Sequence, residues 1–146
     1  MNLYFMRHGI AGDRSETGTD SDDRERTLTP KGIKRMHRAA EGVIKLSPSF
    51  DRILTSPLER ACQTAKIVAQ ALQLEGRMKE IEQLSPGSSV QDLLSALTVY
   101  SGEKNILLVG HEPLLSGAVS LLLCGNAGAK IRLKKDGLCC LEVDGI

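Results

Sequence analysis

The chain has 146 residues, of which 41% are hydrophobic and 25% are charged, and its formal net charge is +1. This length and composition are typical of one globular domain, expected here to span residues 1–146. A net charge so close to zero argues against nucleic acid and against anionic membranes as partners. With two Phe, two Tyr and no Trp, the chain also has few rings on which bases could stack.

Cysteine spacing and apolar segments together predict a cytoplasmic protein. The four cysteines are Cys62, Cys124, Cys139 and Cys140. Their spacing fits neither a disulfide framework nor a zinc site, so we expect reduced thiols that pack as small core residues. Residues 1–6 are mostly apolar, but Arg7 ends this segment early and no basic segment precedes it, which predicts a strand rather than a signal peptide. The apolar run 114–124 is too short to cross a bilayer.

The first third of the chain predicts a strand, a long polar loop and a helix. Residues 2–7 form the strand and residues 11–29 the loop. The helix is expected from Pro30 to about Leu46, because Thr29 is a good N-cap and proline is favoured at the first helical position. The apolar face of this helix comprises Ile33, Met36, Ala40, Val43 and Ile44.

The middle of the chain predicts two more strands, each followed by a helix. Residues 51–55 form the second strand. Ser56 and Glu59 then have the spacing of a capping box, which predicts a helix from Pro57 to about Leu72. A weaker strand is expected at residues 80–84, and an amphipathic helix at residues 90–99.

The last third of the chain contains the clearest strand and predicts a hairpin. Residues 105–109 have the apolar composition of a strand buried on both faces, and Pro113 starts the next helix. Residues 131–133 and 138–143 flank Asp136-Gly137, a type I′ turn dipeptide, which predicts an antiparallel C-terminal hairpin. Strands that alternate with helices predict an α/β fold, a three-layer α/β/α sandwich around a mostly parallel sheet.

Four basic residues follow predicted strands. Arg7 and His8 end the first strand, Arg60 lies in the first turn after the second, and His111 follows the most buried one. Ligands of open α/β sheets bind at the carboxyl ends of the strands, so we expect these side chains to share one crevice. Two guanidinium groups match the oxygens of a phosphoryl group. One neutral imidazole can attack phosphorus while the other donates to its oxygens, so no metal or other cofactor is required.

Three segments, taken in order, resemble the histidine phosphatase superfamily, which includes cofactor-dependent phosphoglycerate mutase. They are Arg7-His8-Gly9, residues 56–65 (Ser-Pro-Leu-Glu-Arg-Ala-Cys-Gln-Thr-Ala) and Gly110-His111. The short length of the chain and residues 26–32 are more similar to the SixA-type phosphohistidine phosphatases of that superfamily. The resemblance implies the phosphoglycerate mutase-like α/β/α fold.

The resemblance also implies roles for the basic residues. It makes His8 the phosphorylated nucleophile, Arg7 and Arg60 clamps for the phosphoryl group, and His111 the second histidine of the pocket. The reaction is then two in-line displacements, in which His8 takes the phosphoryl group and water releases inorganic phosphate.

The general acid and the substrate contacts are less defined by the sequence. Relatives often carry an acidic residue where this chain has Gln83, with Glu82 beside it. Either Glu82 is the general acid or the enzyme lacks a dedicated acid, which an imidazole leaving group tolerates. Arg26 and Gly9 are candidate substrate-binding residues, although Arg26 alternatively only offsets the acidic charge of its loop.

A phosphorylated protein is the expected partner, with phosphohistidine in a phosphotransfer domain or carrier as the substrate. Only residues 76–89 separate the second helix from the next one, which leaves little chain to roof the pocket. The main alternative is a small phosphorylated metabolite, with the 11–29 loop as a lid. Two further alternatives are a phosphohistidine-binding module without turnover and a His/Cys metal site, although ligand spacing for a metal is lacking.

Overall fold

Strands and helices alternate along the described part of the chain. The computed structural model describes residues 1–13, 20–46 and 49–145, except for the side chains of residues 20–22. The elements are β1 (Asn2–Arg7), α1 (Asp20–Glu25), α2 (Pro30–Leu46), β2 (Arg52–Thr55), α3 (Glu59–Leu72), β3 (Met78–Glu80), α4 (Val90–Leu97), β4 (Asn105–Gly110), α5 (Leu114–Cys124) and β5 (Leu138–Glu142). Residues 14–19, part of the polar loop expected at 11–29, lie outside the described residues.

The strands form one mixed sheet in the order β3-β2-β4-β1-β5. Strands β1 to β4 are parallel, and β5 runs antiparallel to β1. Strand β4 lies at the centre between β1 and β2, which accounts for its nearly uninterrupted apolar sequence, since a central parallel strand is covered on both faces.

Two hydrophobic clusters cover the two faces of this sheet. Alternate strand residues point to opposite faces, so Met6 and Leu107 contact the cluster that includes α2 and α3. Their neighbours Phe5 and Leu108 contact the other cluster, which includes α4 and α5. The expected three-layer α/β/α sandwich is therefore confirmed.

Strand register aligns the carboxyl ends of β1, β2 and β4. Arg7 is opposite Gly110, and Thr55 is opposite Val109. The alignment continues one residue beyond each outer strand, where the amides of His8 and Ser56 donate to the carbonyls of Gly110 and Val109, both at 3.0 Å. The three segments that follow these strands therefore start from one edge of the sheet.

Helix α2 begins as expected but is rotated relative to the predicted apolar face. The Thr29 hydroxyl accepts from the amide of Gly32 at 3.0 Å, which is the expected N-cap. Ile33 and Ile44, both expected on the buried face, are 40% and 43% exposed. The reason is a close approach at Gly32, where an added Cβ would lie 2.1 Å from the carbonyl oxygen of Ile10. Turning the glycine inward brings Ile33 toward solvent.

The predicted C-terminal hairpin is wrong in its pairing. Residues 131–133 form no strand, and β5 pairs with the free edge of β1 instead. The turn at residues 134–137 closes with the Gly137 amide donating to the Lys134 carbonyl, with Asp136 at φ 64°. Type I′ requires positive φ at two successive residues, so this is a different turn. Leu133, which is 7% exposed, packs into the core rather than pairing along β5.

Smaller differences concern the third strand and the cysteines. Strand β3 lies at Met78–Glu80, and residues 82–84 of the expected strand form a 3₁₀ turn. All four cysteines are free. Cys139 is half-buried and packs against a core cluster, whereas Cys124 and Cys140 are exposed, so the expectation of core cysteines was wrong for these two. Within residues 1–13, 20–46 and 49–145, no helix has both the length and the apolar character needed to cross a membrane.

Candidate active site

His8 lies directly after β1 and is held with one ring nitrogen available. The residue is only 5% exposed, and its Nδ1 lies 2.7 Å from the carbonyl oxygen of Gly9. A carbonyl only accepts, so Nδ1 carries the proton and Nε2 keeps its lone pair. The backbone that makes this contact is fixed in turn, because the Gly9 amide donates to the Thr64 hydroxyl on α3 at 3.0 Å.

His111 follows β4 and faces His8. The two ring centroids are 4.9 Å apart and the ring planes are tilted by 54°. The Nε2 of His111 lies 2.9 Å from the Ser56 hydroxyl, which also accepts from the Leu58 amide at 3.3 Å. When this hydroxyl donates to Nε2, Nδ1 of His111 carries the proton and is the donor of the ring.

The engagement of Ser56 explains why the predicted capping box is absent. Helix α3 starts at Glu59 with Leu58 as its N-cap, and no side chain caps it. The side chain of Ser56 is turned toward His111 instead. A residue read as a local helix signal therefore positions a site histidine.

Arg60 in the first turn of α3 is 3% exposed and is bound by α1. Its Nη1 donates to the Asp23 carbonyl at 2.7 Å, and its Nη2 lies 3.2 Å from the Asp23 carboxylate. The other Asp23 carboxylate oxygen lies 3.1 Å from Nε of Arg26, whose Nη1 donates to the Gly12 carbonyl. Arg7 donates from Nη1 to the Leu133 carbonyl at 3.1 Å.

These side chains line one cleft of about 270 Å³. The lining residues of this central cleft are Arg7, His8, Asp23, Arg26, Arg60, Pro86, His111, Glu112 and Lys135. Four of them are Arg or Lys and two are acidic, so the cleft favours an anion. Within the described ranges, no group of three or more His, Cys, Asp or Glu residues could hold a metal ion.

Lys135 was not expected from the sequence. It lies in the 134–137 turn, which is fixed to the site by the Arg7 amide donating to the Gly137 carbonyl at 3.1 Å and by an Asp136–Arg35 ion pair at 2.8 Å. Burial and the nearby Arg7, Arg26 and Arg60 lower the pKa of Lys135. The sequence alone does not place this turn, because its position at the carboxyl end of β1 follows from the observed antiparallel pairing of β5 with β1.

Glu82 and Gly9 lie outside the lining of this cleft. The Glu82 side chain is 68% exposed and its carboxylate bonds Arg24 at 3.1 Å and the Ser85 hydroxyl at 3.0 Å. Gly9 is packed against α2, where an added Cβ would lie 2.8 Å from Met36 Cγ. Two carboxylates line the cleft, those of Asp23 and Glu112, and neither was expected from the sequence, although Glu112 directly follows His111.

The family model described as the histidine phosphatase superfamily (branch 1) matches residues 3–84 of the chain. This chain belongs to the histidine phosphatase superfamily. It is a phosphatase, and the matched region contains the segments around His8 and Arg60.

The similarity of this histidine phosphatase to related proteins extends along most of its chain. An uncharacterised protein of Picosynechococcus is 39% identical over 94% of this chain and 82% of its own length. The phosphohistidine phosphatase SixA homolog of Haemophilus influenzae is 34% identical, covering 84% of this chain and 77% of that protein. Phosphohistidine phosphatase SixA of Escherichia coli is 30% identical, covering 86% and 76%.

Solved structures show the same fold. The protein histidine phosphatase SixA in complex with tungstate superposes with a TM-score of 0.74 and 27% identity, covering 84% of this histidine phosphatase and 76% of that chain. The α-ribazole phosphatase of Shigella flexneri has a TM-score of 0.77 at 21% identity, covering 99% of this chain and 91% of that chain. The fold is thus shared with a metabolite phosphatase.

Both histidines are neutral well below neutral pH. Burial lowers the pKa of His8 to about 4, with Arg60, Lys135 and Arg7 adding to this effect and the Gly9 hydrogen bond opposing it. Burial, then His8 and Arg60, lower the pKa of His111 to about 3. The neutral Nε2 required of a nucleophile is therefore present across the physiological range.

These shifts predict that the folded state loses stability in acid. The unfolded chain binds protons on these rings below about pH 6.5, whereas the folded protein does not until about pH 4 or below. Lowering the pH from 7 to 5 should therefore reduce the free energy of unfolding by about 2 kcal/mol per ring. Urea unfolding at both pH values measures the difference, and His8→Ala should roughly halve it. Equal stability of the wild type at both pH values would contradict the burial of neutral rings.

Proposed function

We propose that this phosphatase removes the phosphoryl group from phosphohistidine in a protein, through a phosphoenzyme intermediate on His8. The observation that carries the proposal is a pair of buried neutral imidazoles, whose ring centroids are 4.9 Å apart, in a cleft lined by three arginines and a lysine. The names of the SixA relatives support a phosphohistidine substrate.

In the first step, Nε2 of His8 attacks phosphorus and the bond from phosphorus to the substrate nitrogen breaks. Arg7 and Arg60 hold the phosphoryl oxygens, with Arg26 and Lys135 adding positive charge, and His111 donates to an oxygen as charge redistributes. The buried Nε of Arg7 has no hydrogen-bond partner among the described residues, which leaves a donor for a phosphoryl oxygen. In the second step, water attacks phosphorus, His8 regains its lone pair, and inorganic phosphate leaves.

A comparison of substrates tests the protein assignment. A phosphotransfer domain phosphorylated on histidine should have a far higher kcat/KM than any of a panel of phosphorylated sugars, serine phosphate and phosphoglycerates, and mutase activity should be negligible. A small metabolite with a comparable kcat/KM, or mutase turnover comparable with hydrolysis, would contradict the proposal.

A metabolite phosphatase is the second candidate, and the position of α1 favours it. Asp23 of this helix contacts Arg60 with both its carbonyl and its carboxylate, so part of the 11–29 segment does border the cleft. A segment placed in this way resembles a lid over a small substrate. The substrate panel above separates the two candidates.

The source of the leaving-group proton yields a paired prediction. Glu112 lines the cleft and Glu82 does not. We infer that Glu112 donates the proton to those leaving groups that need one from a carboxyl group. Glu112→Gln should lower kcat/KM for an alkyl phosphate about 10²-fold and change an aryl phosphate little, because a phenolate leaves without protonation. Glu82→Gln, the matched control, should leave both unchanged. A loss in Glu82→Gln alone would support Glu82 as the general acid and contradict the inference for Glu112.

A further inference from the structure

A second cavity, the side groove, adjoins the central cleft. It has a volume of about 250 Å³. It is lined by Pro86, Gly87, Ser88, Val90, Glu112, Pro113 and Leu114. Pro86 and Glu112 line both cavities, whereas His8 and the cationic residues line the central cleft alone. The groove therefore continues the cleft at Pro86 and Glu112, and His8 does not line it.

The walls of the side groove are mainly hydrocarbon. Leu114 is 6% exposed, and Val90 packs against the same core cluster. Val90 of α4 packs closely against α5, since an added Cβ on Gly117 of α5 would lie 3.1 Å from Val90 Cγ2. Helices α4 and α5 thus hold the apolar surface in place.

Ser88 and Glu112 each make a hydrogen bond within the protein, and the buried Oε1 of Glu112 has no hydrogen-bond partner among the described residues. The Ser88 hydroxyl donates to the Glu82 carbonyl at 3.1 Å, and one carboxylate oxygen of Glu112 accepts from the Ser116 hydroxyl. A polar ligand would find few free partners here, whereas an apolar group would gain from leaving water.

In-line displacement gives the groove a role. The leaving group departs from the side of phosphorus opposite the nucleophile. With Glu112 as the proposed proton donor, the leaving group lies beside this residue, which also lines the groove. We propose that the side groove binds an apolar side chain that neighbours the phosphohistidine in the substrate protein. This inference rests on the proposed function. Under it, an apolar residue next to the phosphohistidine makes a protein a better substrate than a polar residue at the same position does.

A pair of peptides tests the inference. Each carries one phosphohistidine, and they differ only in having leucine or serine on both sides of it. Burial of one aliphatic side chain should give the leucine peptide a kcat/KM about tenfold higher. Val90→Gln should reduce this preference to about twofold, since a polar amide in the groove wall removes most of the apolar gain. Val90→Thr, which nearly keeps the volume of valine, should give an intermediate preference, so the result does not depend on one variant folding well.

Val99→Gln is the matched control, because Val99 is 78% exposed and lies outside the groove lining. It should keep the tenfold preference, and inhibition by inorganic phosphate should be equal in all variants. Equal kcat/KM for the two peptides in the wild type would overturn the groove inference and leave the phosphohistidine assignment intact. Hydrolysis of an aryl phosphate but of neither peptide would overturn both.

Discussion

His8→Ala should lower turnover of both an aryl phosphate and a phosphohistidine protein by at least about 10⁴-fold, because it removes the imidazole whose free Nε2 is the proposed nucleophile. The remaining histidine of the pair, His111, is tied through Nε2 to Ser56 and does not take over. His37→Ala is the matched control, since this third histidine is exposed on α2, and its activity should be unchanged. Both variants should keep cooperative thermal unfolding.

The same variant also tests the covalent intermediate. Rapid quenching of the wild type under alkaline conditions, followed by mass analysis of its peptides, should locate a phosphoryl group on His8. His8→Ala should carry none. Residual activity above about 1% in His8→Ala, or a phosphoryl group on another residue, would contradict the nucleophile assignment. Phosphohistidine binding by the wild type without any turnover would instead indicate a binding module.

The convergence of the site could be predicted because it depends on strand ends. A parallel sheet brings the residues that follow its strands to one edge, so Arg7, His8 and His111 could be placed together from motif position alone. The nearly continuous apolar sequence of β4 likewise predicted a strand in the interior of the sheet, because a parallel strand covered on both faces has apolar residues on both faces.

The side chains that the sequence did not reveal reach the cleft through tertiary contacts. Lys135 lies in a turn whose place depends on β5 pairing with β1, and the hairpin expected at that point concealed this. Asp23 belongs to a short polar helix with no apolar periodicity to mark it. Ser56 was interpreted as a helix cap because its spacing to Glu59 fits a capping box. Its hydrogen bond to His111 joins residues 55 positions apart in the chain, which local spacing does not reveal.

Glu82 shows the corresponding limit for a catalytic acid. Its sequence position next to Gln83 fitted the pattern of relatives, but a side chain in a 3₁₀ turn with a free path to solvent turns outward and pairs with Arg24. Which of two neighbouring residues faces a cleft depends on the turn that carries them. In a 3₁₀ turn, neighbouring side chains differ in direction by about 120°, and the sequence does not specify where the turn begins.

Arg60→Lys is expected to have the second-largest effect, a loss of about 10²-fold or more in kcat/KM for both substrates. Lysine keeps the charge but presents a single point donor, whereas the Arg60 guanidinium offers a fork at a fixed place in the first turn of α3. Because the donors act most strongly on the charge of the transition state, most of the loss should be in kcat, with a smaller increase in KM.

Arg24→Lys is the matched control for this substitution, because Arg24 pairs with the exposed Glu82 on the surface and should change kcat/KM less than about twofold. Inhibition by orthovanadate, which can adopt the five-coordinate geometry of phosphorus in the transfer step, gives an independent readout. Its inhibition constant should rise about 10²-fold in Arg60→Lys and stay constant in Arg24→Lys. Unchanged vanadate inhibition in Arg60→Lys would mean that the guanidinium only anchors α1 through Asp23. If vanadate inhibition weakens in Arg60→Lys together with the fall in kcat, then Arg60 contacts the transferred group itself.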